Sequence, residues 1–191
     1  HSAAAITNMA KKLSSGEKPL VEYKPYAGTR LSPSGRMVAL EVVRHHRLIE
    51  LYLCEALGVP WDQVHEEAEK LEHHISEDLE ARMAAKLGDP RFDPHGAPIP
   101  TIDGRVFHRE SRCLDEVEPG ETVEVVEVSD HDPELLRYLG GHGLYPNTTF
   151  NVVSREAFSN ALVITVDQKE IRLGENATRH IQVTYKKKEL K

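Results

Sequence analysis

The stretch VHEEAEKLEHH, residues 64–74, decides how the rest of the chain is interpreted, because its polar and apolar side chains separate onto two sides of a helix. At about 100° per residue, with His65 at zero, Glu69 lies at about 40°, Glu72 at about −20° and His73 at about 80°. Four potential metal ligands therefore share one face. The opposite face is apolar enough to pack against the protein and carries Val64, Ala68, Leu71 and Ile75.

A second pair of potential ligands, His46 and Glu50, lies on the preceding predicted helix, four residues apart and thus on one side of it. A glutamate-rich helix is usually a solvated face, and that remains the interpretation of any one of these residues alone. Taken together, however, the carboxylates would repel one another without a cation. Imidazole and carboxylate ligands suit Mn(II), Fe(II), Co(II) or Zn(II).

Two enzymatic alternatives use the same cluster. The pair His65 and Glu66 begins like the HExxH motif of zinc hydrolases, but Glu69 stands where the second histidine belongs. A ferritin-like di-metal centre requires Glu-x-x-His pairs, which this cluster lacks. A metal-dependent hydrolase or redox enzyme therefore stays the alternative to a binding protein, and we expect no enzyme.

The patterns on either side of this segment predict a mainly α protein with a small β barrel. Residues 3–13 form a helix and residues 20–31 a hairpin, as in the recognition helix and wing of a winged helix-turn-helix or in another small α+β domain. Three helices follow, at residues 35–57, 62–74 and 76–87, and then a proline-rich linker, residues 89–104. Short strands typical of an SH3-like barrel are predicted at residues 121–129, 150–154, 161–166, 170–173 and 181–185, with one helix at 133–139.

The composition limits the class of protein. The formal net charge of −7 divides into +4 for residues 1–36 and −11 for the remainder, so a basic head joins an acidic body, as in many DNA-binding proteins. Cys54 and Cys113 are far apart and match no metal-binding spacing, which favours a reducing, cytoplasmic environment. The sequence contains no apolar run long enough for a membrane span.

The segments AAAITNMAKKL, VEYKPYAGTRLSPSGR, RHHRLIE, VHEEAEKLEHHIS and DPHGAPIP together resemble the diphtheria-toxin-repressor family of metal-dependent transcription regulators, in its manganese-responsive branch. The segment LLRYLGGHGLYPNT is similar to the FeoA-type SH3-like domain of its longer members. The resemblance implies a winged-helix domain (residues 1–35), a helical dimerisation and metal-binding domain (36–104) and an SH3-like domain (105–191). It also implies a homodimer on palindromic operator DNA.

The resemblance further implies two sets of metal ligands. His46, Glu50 and His65 match the ancillary site, and Glu69, Glu72 and His73 match the site that controls DNA binding. Because Glu69 stands where iron-responsive members carry cysteine, the site favours Mn(II), with Fe(II), Co(II) or Zn(II) as alternatives and an iron-dependent regulator as the other family outcome. The implied DNA contacts come from the recognition helix and are Ser2, Ala4, Asn8, Lys11 and Lys12.

Two departures from the family pattern concern the ligand sets. Asp132 falls near a position at which the SH3-like domain contributes a ligand to the ancillary site, but Leu135 stands where an amide-bearing ligand would be. The chain also begins at His1, in what the pattern makes the turn before the recognition helix. We therefore expect an N-terminally incomplete winged helix, a regulatory site one ligand short and weak operator binding by this chain alone.

Overall fold

The computed structural model describes residues 2–186, which form helices, strands and a short 3-10 turn at Leu114–Glu116. The helices are α1 (Ala3–Leu13), α2 (Pro33–Leu57), α3 (Val64–Leu71), α4 (Glu77–Lys86), α5 (Pro133–Gly141) and α6 (Glu175–Thr178). The strands are β1 (Val21–Lys24), β2 (Gly28–Leu31), β3 (Arg112–Cys113), β4 (Thr122–Val128), β5 (Thr149–Arg155), β6 (Leu162–Val166), β7 (Lys169–Leu173) and β8 (Ile181–Tyr185).

The basic head consists of α1 and an antiparallel hairpin, which confirms the two elements predicted there. Helix α1 begins after Ser2, whose hydroxyl oxygen accepts a hydrogen bond from the Ala5 N–H at 3.3 Å. In the hairpin β1–β2, Val21 pairs with Leu31. No residue of helix α1 is fully buried, and all but the half-buried Thr7 and Ala10 are exposed to solvent.

The long helix α2 is the backbone of the helical region. Ser32 accepts a hydrogen bond from the Gly35 N–H at 3.0 Å, and Pro33 fits the first turn because that position needs no N–H donor. Gly58 ends the helix in the left-handed conformation with φ of 69°, which a glycine adopts without steric cost. Leu48 packs in a core cluster with α4, and Ile49 in another that reaches α3.

Helix α3 is shorter than the predicted helix at residues 62–74. It begins at Val64 and ends at Leu71, and residues 72–74 form turns. Of the predicted apolar face, Val64 and Ala68 are fully buried and Ile75 packs partly buried against the core, but Leu71 is 42% exposed. Because the helix ends at Leu71, Glu72 and His73 lie on its C-terminal turn and not on a regular helical face.

The C-terminal region is a six-stranded antiparallel sheet in the order β3-β8-β4-β5-β6-β7, which confirms the small β-rich domain. Its core includes fully buried residues from most of these strands, such as Val125, Phe150 and Ile164. Trp61, from the helical region, belongs to the same core cluster and is 9% exposed. No helix in residues 2–186 is both long enough and apolar enough to span a membrane.

The proline-rich linker packs between the helical region and the sheet. The Val128 N–H at the end of β4 donates a hydrogen bond to the His95 carbonyl at 2.9 Å. Arg109 donates to the Gly96 carbonyl at 3.0 Å, and its guanidinium lies 3.9 Å from the centre of the Phe92 ring. These contacts place His95 against both regions of the chain.

Candidate metal centre

Four potential ligands from three parts of the chain converge beside α2. His46 and Glu50 lie one turn apart on α2, His65 lies in the first turn of α3, and Asp130 follows β4. One ligand atom from each lies within 4.8 Å of the other three. The structure therefore brings His46 and Glu50, on one side of α2, together with His65 and Asp130.

Neighbouring ligand atoms of this group lie 3.0–3.4 Å apart. His46 Nε2 lies 3.0 Å from Glu50 Oε1 and 3.1 Å from His65 Nδ1. His65 Nδ1 in turn lies 3.2 Å from the same Glu50 oxygen and 3.4 Å from Asp130 Oδ2. Two imidazole nitrogens and two carboxylates thus face one small volume, which is the arrangement that a divalent cation requires.

His46 is held between two carboxylates. Its Nδ1 lies 2.6 Å from Glu72 Oε2, and its Nε2 faces Glu50. Burial lowers the pKa of His46, but the hydrogen bonds and charges of Glu50 and Glu72 outweigh that effect and raise the pKa from 6.5 to about 9. At neutral pH the imidazole therefore carries the proton that a metal ion would displace.

The second oxygen of Glu50 belongs to a buried group that the sequence analysis did not identify. Glu50, Asp93 and His95 are all buried, with ligand atoms within 4.8 Å of one another. His95 Nε2 donates to the Trp61 carbonyl at 2.8 Å, which leaves Nδ1 as an acceptor 3.9 Å from Glu50 Oε2. Among the described residues, Glu50 Oε2, Asp93 Oδ2 and His95 Nδ1 have no hydrogen-bond partner.

Asp93 is a member of this buried group, and its pKa is shifted. Its Oδ1 accepts hydrogen bonds from the N–H groups of His95 and Ala97, at 2.8 and 2.9 Å. Burial, and after it the nearby Glu50 carboxylate, raise the pKa of Asp93 from 3.8 to about 8, although Arg47 and the two backbone N–H groups oppose the shift. Glu50 Oε2, Asp93 Oδ2 and His95 Nδ1 are thus three buried potential ligand atoms without hydrogen-bond partners among the described residues, and a cation would satisfy them together.

The set predicted to control DNA binding is only partly assembled. Glu72 bridges His46 and His73, and its Oε1 lies 3.2 Å from His73 Nε2. Glu69 Oε1 lies 3.7 Å from His65 Nε2. The side chains of Glu69 and His73 are 64% and 63% exposed, so they stand at the rim of the centre, while Glu72 reaches into it.

Asp132, the ligand expected from the SH3-like domain, has a different place in the structure. Its Oδ1 accepts hydrogen bonds from the N–H groups of Glu134 and Leu135, at 2.9 and 3.2 Å, and so caps α5. Asp130 joins the cluster instead. The two residues are separated by one histidine, and the Pro133 that starts α5 was the signal in the sequence that Asp132 would serve as a cap.

The residues expected to contact DNA all lie on or beside α1 in the basic head. Each of them is exposed, and Lys11 and Lys12 occupy the last turn. These side chains are therefore accessible to solvent. The exposed set is Ser2, Ala4, Asn8, Lys11 and Lys12.

Comparison with known proteins gives two family matches. Residues 32–101 match the metal binding and dimerisation domain of iron-dependent repressors, and residues 112–185 match the FeoA domain. The iron-dependent repressor IdeR of Mycobacterium leprae is 32% identical over 172 residues, which are 82% of this chain and 74% of that protein. The Mycobacterium bovis repressor of that name is 34% identical over 146 residues, covering 70% of this chain and 64% of its own length.

Solved structures show the same architecture. A manganese-dependent transcriptional repressor in complex with manganese is 39% identical, has a TM-score of 0.87, and is matched over 97% of this chain and 86% of that chain. The repressor ScaR with bound Zn2+ is 32% identical, has a TM-score of 0.77, and is matched over 97% of this chain and 87% of its own.

Proposed function

The chain belongs to the iron-dependent, or diphtheria-toxin, repressor family of metal-dependent transcriptional repressors, and on that premise we propose that Mn(II) is the ion that enables it to bind DNA. The observation that carries the proposal is the convergence of His46, Glu50, His65 and Asp130 on one volume. All of its ligand atoms are nitrogen or oxygen, and a donor set without thiolate favours Mn(II).

The division of labour within the centre follows from the contacts. His46, Glu50, His65 and Asp130 would hold an inner ion, and the second oxygen of Glu50 would connect this ion to Asp93 and His95. Glu69, Glu72 and His73 would hold an outer ion beside His46. Glu72 is the member of this outer set that already contacts the inner one, because it shares His46 with Glu50.

Metal would act by selecting one arrangement of the chain. A bound cation replaces the proton on His46, offsets the repulsion between the Glu50 and Glu72 carboxylates, and joins α2, the end of α3 and the loop after β4. In the homodimer proposed for this chain, that arrangement would direct each exposed α1 into a major groove of a palindromic operator.

The alternatives differ in their support. The curated relatives are named as iron-dependent repressors, which favours Fe(II) as the second candidate. The proteins in the comparison are repressors and not enzymes, so they lend nothing to a hydrolase or redox function. Binding of the full-length protein to operator DNA, measured in parallel with Mn(II), Fe(II), Co(II) and Zn(II), separates these possibilities. Equal DNA binding with a chelator in place of metal would reject the proposal.

Metal binding should release protons. Below pH 9 His46 is protonated in the metal-free protein, and below pH 8 Asp93 is protonated as well, so Mn(II) competes with both protons. We expect the apparent affinity to rise with pH, by about tenfold per pH unit for each proton displaced, until these pKa values are passed. Calorimetry in buffers of different ionisation enthalpy measures the number released. Binding without proton release at pH 7 would contradict this arrangement.

Replacing Glu69 with alanine should weaken binding of the outer ion and remove metal-dependent DNA affinity without unfolding the protein. Glu69 is 64% exposed, and substitutions at such positions usually change stability by no more than about 0.5 kcal/mol. Calorimetry, thermal unfolding and DNA titration together measure the three effects. If Glu69→Ala binds Mn(II) with parental affinity at both sites, Glu69 is not a ligand.

Replacing Glu69 with cysteine should change the order of metal preference. A thiolate is a softer ligand than a carboxylate, so affinity should move from Mn(II) towards Zn(II) and Co(II), by about tenfold or more in the ratio. Glu69→Gln is the matched control, because it removes the charge without adding a thiolate. An unchanged ranking of the metals in Glu69→Cys would show that this position does not set selectivity.

A further inference from the structure

His45 is a buried histidine that lies next to the metal centre without facing it. Its ring lies between the C-terminal turn of α3 and the helix α4, where it is 7% exposed. Its Nδ1 lies 3.2 Å from the Glu72 carbonyl oxygen, and its Nε2 lies 3.0 Å from Glu80 Oε2. Neither nitrogen is directed at the atoms of the metal centre.

Both partners of His45 are acceptors, which fixes the role of the ring. A carbonyl oxygen cannot donate, so Nδ1 donates to Glu72, and Nε2 faces a buried carboxylate. Glu80 is 4% exposed and also pairs with the guanidinium of Arg44, one residue before His45 on α2. The ring is therefore held at one end by Glu80 and presents an N–H to Glu72 at the other.

The end of α3 needs such a donor. The last carbonyls of a helix have no partner within it, and the turn at residues 72–74 follows Leu71 directly. The hydrogen bond from His45 occupies the carbonyl of Glu72, and a donor at a helix C-terminus is also favourable to the helix dipole. The residue whose backbone is fixed in this way is the one whose carboxylate reaches His46 at 2.6 Å.

We propose that His45 is a positioning residue for the outer metal site: its Nδ1–H bond to the Glu72 backbone sets where the Glu72 carboxylate meets His46. The inference rests on the proposed function, since it assigns Glu72 to a metal ion. It adds a buried chain of contacts, from Arg44 through Glu80 and His45 to Glu72, that connects α4 to the metal centre.

Two substitutions at His45 divide its hydrogen bonds. The side-chain nitrogen of asparagine lies close to the position of Nδ1, so His45→Asn keeps a donor for Glu72 and loses Glu80. The side-chain nitrogen of glutamine lies close to Nε2, so His45→Gln keeps Glu80 and loses Glu72. Glu77→Gln is the control for charge, because Glu77 Oε1 lies 3.9 Å from His45 Nε2 and its side chain is 74% exposed.

The test is a titration of each full-length variant with Mn(II), followed by electron paramagnetic resonance of free and bound Mn(II) and by Trp61 fluorescence. Trp61 is the single tryptophan of the chain and its ring stacks on His95 at 5.6 Å, so its emission reports the inner ion. Resonance counts both ions. The outer affinity is the difference between the two readouts, and thermal unfolding of each variant measures any general loss of stability.

His45→Gln should lower the affinity of the outer site for Mn(II) by about tenfold, which is the lower end of the effect of residues that hydrogen-bond to metal ligands. The affinity of the inner site should not change. His45→Asn and Glu77→Gln should bind both ions within about threefold of the parent. Equal outer affinities in His45→Gln and His45→Asn would overturn the inference, as would a loss of both ions in parallel with stability. A parent protein that binds no outer ion would refute both the outer site of the proposed function and the role of His45, whereas equal outer affinities in the two His45 variants would refute the role of His45 alone.

Discussion

Replacing Glu50 with glutamine is expected to abolish the stabilisation of the protein by Mn(II) while leaving the metal-free protein as stable as the parent, or more stable. Glu50 is fully buried and serves both groups of the centre, with Oε1 towards His46 and His65 and Oε2 towards Asp93 and His95. Because Glu50 belongs to both groups, removing its charge removes a ligand that no other residue of the centre replaces.

The gain in the metal-free protein comes from the unsatisfied atoms. Glu50 Oε2 has no hydrogen-bond partner among the described residues, and it belongs to one buried group with Asp93 Oδ2 and His95 Nδ1, of which the histidine nitrogen is an acceptor. A glutamine amide at this position can donate to one of them, and satisfying a buried acceptor is worth about 1 kcal/mol. Replacing a residue that binds a ligand often stabilises the ligand-free protein, because such residues are retained for function and not for stability.

Thermal unfolding with and without Mn(II) measures both parts of this prediction. At about one hundred times its dissociation constant, a ligand stabilises the folded state by about 2.7 kcal/mol, and Glu50→Gln should lose that increment. Glu55→Gln is the matched control, because Glu55 lies on the same helix, is exposed and belongs to neither group. A Glu50→Gln protein that Mn(II) still stabilises to the parental extent would remove Glu50 from the centre.

Replacing Gly96 with alanine should both destabilise the protein and weaken metal binding, because Gly96 joins the ligand loop to the barrel. Its φ is +90°, and a Cβ added there would lie 2.1 Å from the Val126 carbonyl oxygen, which is backbone and cannot rotate away. The loop must therefore separate from β4. Since Asp93 and His95 belong to that loop, they would move away from Glu50.

Gly120 offers a matched control for this substitution. Its φ is +93°, but a Cβ there would meet nothing within 4 Å, so Gly120→Ala has the backbone cost alone, about 1–2 kcal/mol. Gly96→Ala should exceed that loss and should also reduce Mn(II)-induced quenching of Trp61 fluorescence. Denaturant unfolding and metal titration of the two variants measure the difference. Equal losses in the two variants, with metal affinity intact, would show that the loop does not depend on this contact.

The sequence predicted those features that depend on local periodicity. Helix α2 was expected at residues 35–57 and is found at Pro33–Leu57, because its cap residues and its apolar spacing are visible within one segment. His46 and Glu50 were placed together for the same reason, since residues four apart on a helix share a side. The alternating strands of the barrel follow equally local patterns and were found where predicted.

The remaining parts of the centre depend on contacts between distant segments. Asp93 and His95 lie in a proline-rich stretch that the sequence indicated as linker, and nothing local shows that His95 approaches Glu50, forty-five residues earlier. The expected role of Asp132 depended on the family resemblance alone, whereas in the structure its side chain caps the start of α5. The helical periodicity of residues 64–74 likewise could not show that α3 ends at Leu71.

Reciprocal coupling between metal and DNA is the most direct test of the account. If the Mn(II)-loaded centre selects the arrangement that binds DNA, then operator DNA must raise the affinity for Mn(II) by the same factor by which Mn(II) raises the affinity for DNA. The measurement is the dissociation constant of Mn(II) for the full-length protein, with and without saturating operator DNA at fixed salt and pH. We expect Mn(II) to bind at least about tenfold more tightly in the presence of DNA. The same Mn(II) affinity in both conditions would contradict the account.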